Sequence, residues 1–508
     1  MLRALLRLGL AAALLARPVL ATWSIILIDT RTGEIAVASA TCLQNFDLAV
    51  WVPVVVVGKG AACAQSFVDP SGANRLYIRD QLLLGTAPDQ ILAGLAASDP
   101  GHQSRQYGFA DVQGRTRGFT GTGAGAYASD RTGRVGDIVY AIQGNVLTGG
   151  PVLAAAEIAI YATPGDLGEK LMAAMQAARQ FGGDGRCSCN EGNPTGCGSP
   201  PPNFTKSADV AFMIVARPGD VDGLCNPTVG CASGSYTMRL NVANRVRTDP
   251  DPVVLLQGLY DQWKVQQRGR FDQFRSTLEF ASPSLPINGL TVVNARLVLR
   301  DREGTPLGRP ATSVQIVATT GTTTNATLGA LRDNGDGTYD LPITAGTAPG
   351  RLVLRATVDD GNGARPLPEV RIDTSGLNDR LWASRVEISA TAGGVVDFAV
   401  QPGPFFGANK TWVLLASLSG TRPGVQIPPF YNLPLNYDAM LELTALAAFG
   451  GFMPELSGQT PVSGLSATAV RFPPGLYALP VGRELSFAYA LVNPTTMTSN
   501  PVSIRIVP

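Results

Sequence analysis

A single histidine, His102, stands among the 508 residues. A Ser-His-Asp triad or a Cys-His dyad therefore has no other imidazole to use. A hydrolytic zinc site, which ordinarily takes more than one histidine, is disfavoured on the same ground. His102 lies in "SDPGHQS", beside Pro and Gly, and is read as a solvent-facing loop residue. Charge is also scarce: charged residues make up 16% of the chain, and 40 Lys+Arg nearly balance 39 Asp+Glu. No basic stripe stands out, which speaks against a nucleic-acid partner. The chain has no phosphate-binding loop and no dinucleotide fingerprint. "GTGAG" at Gly121–Gly125 is glycine-rich but lacks the required spacing. No segment after the first 21 residues is long enough to span a bilayer. No cofactor and no metal is expected.

What is abundant is glycine (57) and proline (37), alongside many Thr and Val, which predicts short strands joined by tight turns. The length predicts about three to four domains. Residues 1–21 read as a secretory signal: Arg3 and Arg7 form the positive region, Leu8–Ala16 the apolar core, and Val19-Leu20-Ala21 the cleavage site. Cleavage after Ala21 would make Thr22 the first residue of the mature chain. The apolar run "LAVWVPVVVV", Leu48–Val57, is read as a buried strand. Seven cysteines suit an exported chain, as disulfide staples in preference to metal ligands, and the odd number leaves one thiol free or paired between chains. Cys42 and Cys63 flank the apolar run and could join neighbouring strands. The other five lie in Gly/Pro/Asn-rich loops, and their connectivity stays open.

Along the chain, "TWSIILID", "TRTGE" and "IAVASAT" read as strand, turn and strand. Residues 73–98 read as helical, with Thr86 as an N-cap and Asp89 in the first turn. A hairpin turns at Asp111–Gly114, and "DIVYAIQGNVL" is a strand. A helical stretch opens at Pro151, breaks at Pro164-Gly165 and stops at Gly182-Gly183. "SADVAFMIVAR" is another buried strand. Alternating groups of strands and helices predict an α+β domain of layered sheets covered by helices, over residues 22–250, with a Cys/Pro-rich insertion at 186–206. Residues 251–279 are predicted to be amphipathic helix, ending the domain and connecting onward. From about 280 the pattern is all-β, predicting a sandwich at 280–375 and a second β-rich domain at 380–508. "DNGDGTYD", Asp333–Asp340, lacks the alternating oxygens of a calcium loop and is read as a hairpin turn.

One mechanism needs no histidine. An N-terminal Thr can attack a carbonyl while its own α-amine takes the hydroxyl proton, and an α-amine with a pKa of about 7.7–8 is partly free base near neutrality. Backbone N–H groups would then stabilise the oxyanion. Alternatively, Thr22 is an ordinary strand residue.

The stretches "TWSIILIDTRTGEIAVAS", "VPVVVVGKGAACAQSFVDP", "DPGHQSRQYGFADVQGRTRGFTG", "YAIQGNVLTGG" and "QFGGDGR…KSADVAFMIV", in this order, resemble the bacterial domain-of-unknown-function family 1028. That resemblance implies the N-terminal nucleophile (Ntn) hydrolase fold, a four-layer αββα sandwich. It implies Thr22 as first residue after processing, and Gln65, Gln143 and Asn145 as amides near the cleft. The family's "TQ" appears here as Ala64-Gln65, without the hydroxyl, and Asp184 and Arg186 match its "GGDxR". Each of these polar residues also has a plain reading as a satisfied turn or strand-end group. Lys59 is assigned the lysine role of Ntn enzymes. Residues 281–373 look like a bacterial Ig-like or invasin-type module, and 380–508 resemble a C-terminal module of exported proteins. Two functions are expected in competition. One is a secreted amidohydrolase acting on a peptide or cell-wall amide through Thr22, supported by Lys59, Gln65, Gln143 and Asn145. The other is a cell-surface protein that binds peptidoglycan or glycan without turnover. The oligomeric state stays open.

Overall fold

The computed structural model describes residues 22–281, 284–348, 350–374, 381–403, 407–427, 431–450, 453–475, 481–492 and 497–508. The leader read at 1–21 lies outside them. The chain divides into two compact units, 1–266 and 267–508.

In the first unit, β1 (Thr22–Asp29) and β2 (Ile35–Thr41) form the expected hairpin. The Asp29 carboxylate accepts the Arg31 and Thr32 amides, and Gly33 takes φ +74° to close the turn. The run Leu48–Val57 differs from its predicted single strand. Its first half is a one-turn helix, α1 (Leu48–Trp51), because the Asp47 side chain caps the Ala49 amide at 3.1 Å. Pro53 cannot continue a helix and opens β3 (Pro53–Val56). Then follow β4 (Gly60–Ser66), α2 (Ala73–Leu84), α3 (Pro88–Ser98), β5 (Arg105–Asp111), β6 (Thr116–Thr120), β7 (Ser129–Val135) and β8 (Ile138–Asn145). α4 (Pro151–Ala162), α5 (Leu167–Gln180), the short α6 (Gly185–Ser188), β9 (Val210–Ala216), β10 (Met238–Val242) and α7 (Pro252–Gln266) complete the unit. α3 starts one residue later than predicted. Thr86 spends its hydroxyl on Gln81 Oε1 (2.8 Å), Ala87 takes the N-cap position, and Pro88 fixes the first helical φ.

Two antiparallel sheets result, ordered β10-β9-β2-β1-β8-β7 and β3-β4-β5-β6. Strand alternation sorts β1 between two cores. Trp23, Ile25 and Leu27 pack with Leu153, Leu171, Met175 and Leu256 of α4, α5 and α7. Ile26 and Ile28 pack with Val55, Ala61, Cys63 and Ala110 of the second sheet. That sheet's other face, with Val56, Ala62, Tyr107 and Phe109, meets Ile78, Leu82, Ile91 and Leu95 of α2 and α3. The layers are therefore helix, sheet, sheet, helix, the αββα order expected. The stretch 251–279 divides: α7 buries Val253, Leu256 and Tyr260 in the first unit's core, whereas Thr277–Phe280 is a strand of the second unit.

Three disulfides form: Cys42–Cys187, Cys189–Cys197 and Cys225–Cys231. Cys42 therefore does not pair with Cys63, which is the buried free thiol. His102 also departs from its predicted exposure. It is buried, its ring stacked 4.2 Å from that of Phe119 and 5.8 Å from that of Tyr107.

The second unit is β-rich. The strands Val292–Val298 and Thr338–Thr344 pair antiparallel, and their inward residues Val293, Ala295, Leu297, Leu341 and Ile343 meet Leu352, Leu354, Ala356 and Ile372 of a facing sheet. The Asp333 and Asp336 carboxylates accept turn amides of Gly335 and Thr338, and Gly335 and Gly337 take positive φ, as a turn requires. A further core gathers Phe398, Trp412, Leu414, Phe487 and Ile504, with the helix Ala439–Phe449 packed on the strand Thr411–Ser417. No helix among the described residues is long and apolar enough to cross a membrane.

Candidate functional site

The hairpin register places Thr22 opposite Thr41, and the β1–β8 register places it opposite Asn145. The Thr22 nitrogen donates to Asn145 Oδ1 at 3.1 Å, and the Thr22 hydroxyl donates to Thr41 Oγ1 at 3.3 Å. Asn145 is held in turn: its Nδ2 donates to the Ala124 carbonyl (3.0 Å) and to Ser66 Oγ (3.3 Å). Those bonds fix which end of the amide faces Thr22. Ser66 and Val146 adopt positive φ (71° and 53°) where the flanking strands end, which marks a constrained backbone around the threonine.

Below Thr22 lies an amide network. Gln65 Nε2 donates to the Thr22 carbonyl (2.9 Å) and to Gln106 Oε1 (2.8 Å), while its Oε1 accepts from Ser24 Oγ (2.5 Å). Gln106 Nε2 donates to Thr120 Oγ1, Ser129 O and Gly144 O, and Thr120 donates to Asp130 Oδ1 at 2.6 Å. Gln143 reaches across the sheets to the Cys63 carbonyl at 3.0 Å. A Cβ at Gly108 would collide with its Oε1, so any side chain there would have to displace the Gln143 amide. Thr22, Ser24, Gln65, Gln106, Gln143 and Asn145 are all buried.

A third group approaches through Thr41. Arg186 Nη2 donates to Thr41 Oγ1 at 3.4 Å and forks onto Asp184 (3.1 and 2.8 Å). Asp184 also accepts the Cys42 amide at 2.7 Å. Burial pushes the Asp184 carboxyl up, while Arg186 and these amides oppose the shift. The potential ligand atoms of Cys42, Cys187 and Asp209 lie within 4.8 Å of one another, but the two sulfurs are joined to each other. That leaves a single carboxylate, too few for a metal.

Of the residues singled out from sequence, Thr22, Gln65 and Asn145 meet at one point, with Gln143 between the sheets nearby. Lys59 does not join them. It is exposed in the turn before β4, six residues and so about 20 Å along the strand from Gln65. The cation bonded to the Thr22–Thr41 pair is Arg186. Ala64 points the other way, into the α2/α3 core with Ile78 and Leu82, because neighbours on a strand face opposite layers. The hydroxyl missing at position 64 is therefore not missing from around Thr22. Thr41 went unremarked in the sequence. Counting back from the β1–β2 turn would have found it, since each pair in that hairpin is locked to the next. Gln106 gave no such signal, because two helices separate β4 from β5.

No curated protein matches the chain. Among solved structures it is similar to a Silicibacter pomeroyi protein of family DUF1028, at 21% identity over 48% of this chain and 88% of that one, with a TM-score of 0.33. It is also similar to the Yersinia pseudotuberculosis adhesin InvE, at 17% identity over 46% of this chain and 60% of that one, TM-score 0.18. A third likeness is to domains 5–6 of the S-layer protein SbsC, at 12% identity over 46% and 96%, TM-score 0.21. Residues 22–190 match the model of the family of unknown function DUF1028, and residues 272–372 match invasin domain 3, so the chain joins a DUF1028 domain to an invasin-type, Ig-like module.

Proposed function

We propose that this is an exported Ntn-type amidohydrolase in which cleavage after Ala21 exposes Thr22, whose hydroxyl attacks an amide of a peptide or cell-wall component while its amine takes the proton. The observation behind this reading is the double anchoring of Thr22, nitrogen to Asn145 and hydroxyl to Thr41, at the start of one of the two central strands of the six-stranded sheet in an αββα sandwich. The base and the nucleophile are thereby held on one residue, so no histidine is required. Three disulfides support an extracellular or periplasmic location. The test has two stages. N-terminal sequencing of the exported protein should begin at Thr22, and a start elsewhere defeats the proposal. An acyl-type probe should then label the wild type and fail on Thr22→Ala, and labelling that survives the substitution assigns the nucleophile elsewhere.

The second reading, a cell-surface protein that holds peptidoglycan or glycan without turnover, is favoured by the invasin domain 3 match at 272–372. It predicts that isolated cell wall retains the wild type and Thr22→Ala equally. Retention of neither form counts against it.

A further inference from the structure

The Cys42–Cys187 disulfide joins the residue after Thr41 to the residue after Arg186, across 145 positions of sequence. It closes a ring of contacts around the candidate nucleophile. Thr22 Oγ1 donates to Thr41 Oγ1, which also accepts from Arg186 Nη2. Arg186 forks onto Asp184, and Asp184 accepts the Cys42 amide next to Thr41. The segment bearing Arg186 is further tied to the loop after Asn145 by the Gly185 amide, which donates to the Val146 carbonyl at 3.0 Å, and to the residues before β9 by the Asp184 amide, which donates to Ser207 O at 3.1 Å. The α6 turn opens the Cys-rich insertion and is only four residues long, too short to hold a long side chain in place unaided.

We infer that Arg186 is a positioning residue for Thr22, acting through Thr41, and that the Cys42–Cys187 bond keeps it there. This rests on the reading of Thr22 as nucleophile. Two consequences follow from the chemistry. A fixed guanidinium donor on Thr41 leaves that oxygen a lone pair aimed at the Thr22 hydroxyl, which holds the nucleophile's rotamer. A cation two hydrogen bonds away also favours the neutral, basic form of the Thr22 amine and steadies negative charge that develops on its oxygen. Arg suits the role better than Lys, because its fork engages Asp184 and Thr41 together.

The test uses the exported full chain and three alterations: C42S with C187S, R186Q, and, as a control, C189S with C197S in the same insertion. Amide hydrogen exchange of the segment from Thr22 to Ile26 should speed by about tenfold in the first two, the factor set by losing a hydrogen bond to a charged group, and stay unchanged in the control. Reaction of the Thr22 amine with an amine-directed reagent should shift to higher pH in R186Q, slowing about tenfold at neutrality. R186K should restore that pH profile in large part, which a purely structural loss would not. Equal effects in the C189S/C197S control, or unchanged exchange and pH profile in R186Q, overturn the inference. If the N-terminus is not Thr22, the nucleophile reading fails by itself, and exchange at Thr22 still decides whether Arg186 and the disulfide hold that residue.

Discussion

Gln65→Glu replaces one atom at the centre of the site. The Gln65 amide nitrogen donates two hydrogen bonds, to the Thr22 carbonyl and to Gln106 Oε1, at 2.9 and 2.8 Å. A glutamic acid has at most one proton to offer there, so even its neutral form leaves one oxygen pair facing without a hydrogen. Gln106 cannot rotate to compensate, because its own nitrogen is committed to Thr120, Ser129 and Gly144. One orphaned buried acceptor costs about 1–3 kcal/mol, the loss expected at acid pH. Above that range the carboxyl is driven to ionise beside two oxygens and away from water, which disfavours the charged form and raises its folded-state pKa above the unfolded value of about 4.3. The folded protein then binds more protons than the unfolded, so the variant's deficit grows by about 1.4 kcal/mol per pH unit between those two values and levels off above the folded one. The assay is native-state hydrogen exchange of β1 and β4 peptides in increasing urea, at pH 4, 6 and 8, for wild type and variant. A variant as stable as wild type at all three, or a deficit independent of pH, refutes the network as drawn.

Three further outcomes are expected. Burial holds the His102 pKa down, with Asp99 opposing and Arg105 adding to the effect, so the unfolded chain takes up a proton that the folded one resists. Stability is then full above about pH 6.5 and falls on acidification, and urea midpoints at pH 7.5 and 5 should show a smaller difference in His102→Phe than in wild type. The Cys63 thiol is pushed up to about 12 by burial, against a lowering hydrogen bond from Ser24. Maleimide at pH 8 should therefore leave the native, unreduced protein unlabelled and modify Cys63 only after denaturation; native labelling would contradict its burial. The Glu34–Arg217 pair, 2.6 Å apart and almost fully buried, joins the β1–β2 turn to the end of β9. Glu34→Ala should cost about 3–5 kcal/mol by stripping the buried guanidinium of this carboxylate, and a loss below about 1 kcal/mol in urea unfolding would show the pair to be dispensable.

What the sequence disclosed and what it concealed follow from the range of the interactions. The β1–β2 hairpin, the breaks at Pro164-Gly165 and Gly182-Gly183, and the Asp333–Asp340 turn were legible because each is set by neighbours in sequence. The helix at Leu48–Trp51 was not, since an unbroken apolar run has no period to separate helix from strand. The burial of His102 depends on Phe119 and Tyr107, which β-pairing brings beside it. The Cys42–Cys187 bond and the approach of Arg186 depend on where α6 docks. Lys59 stands apart for a geometric reason: it lies in the turn before β4, at the opposite end of that strand from Gln65.

Strand parity also bears on the rivalry between catalysis and binding. The Ala64 side chain belongs to the helix-facing layer, so the departure from the family's "TQ" removes nothing that Thr22 could touch and does not weigh against catalysis. What distinguishes an active Thr22 from an inert one is then its nitrogen. Asn145 presents an oxygen, fixed by the bonds its own nitrogen makes to Ala124 and Ser66, and an oxygen accepts equally from a peptide N–H or from an amine. Under the proposed cleavage the anchor would therefore be the same before and after, and folding would have no need to wait for it. In the proposed mechanism, cleavage after Ala21 changes only basicity, turning an amide that cannot take a proton into an amine that can. Competence would follow from export itself, in a site already assembled around the residue that export exposes.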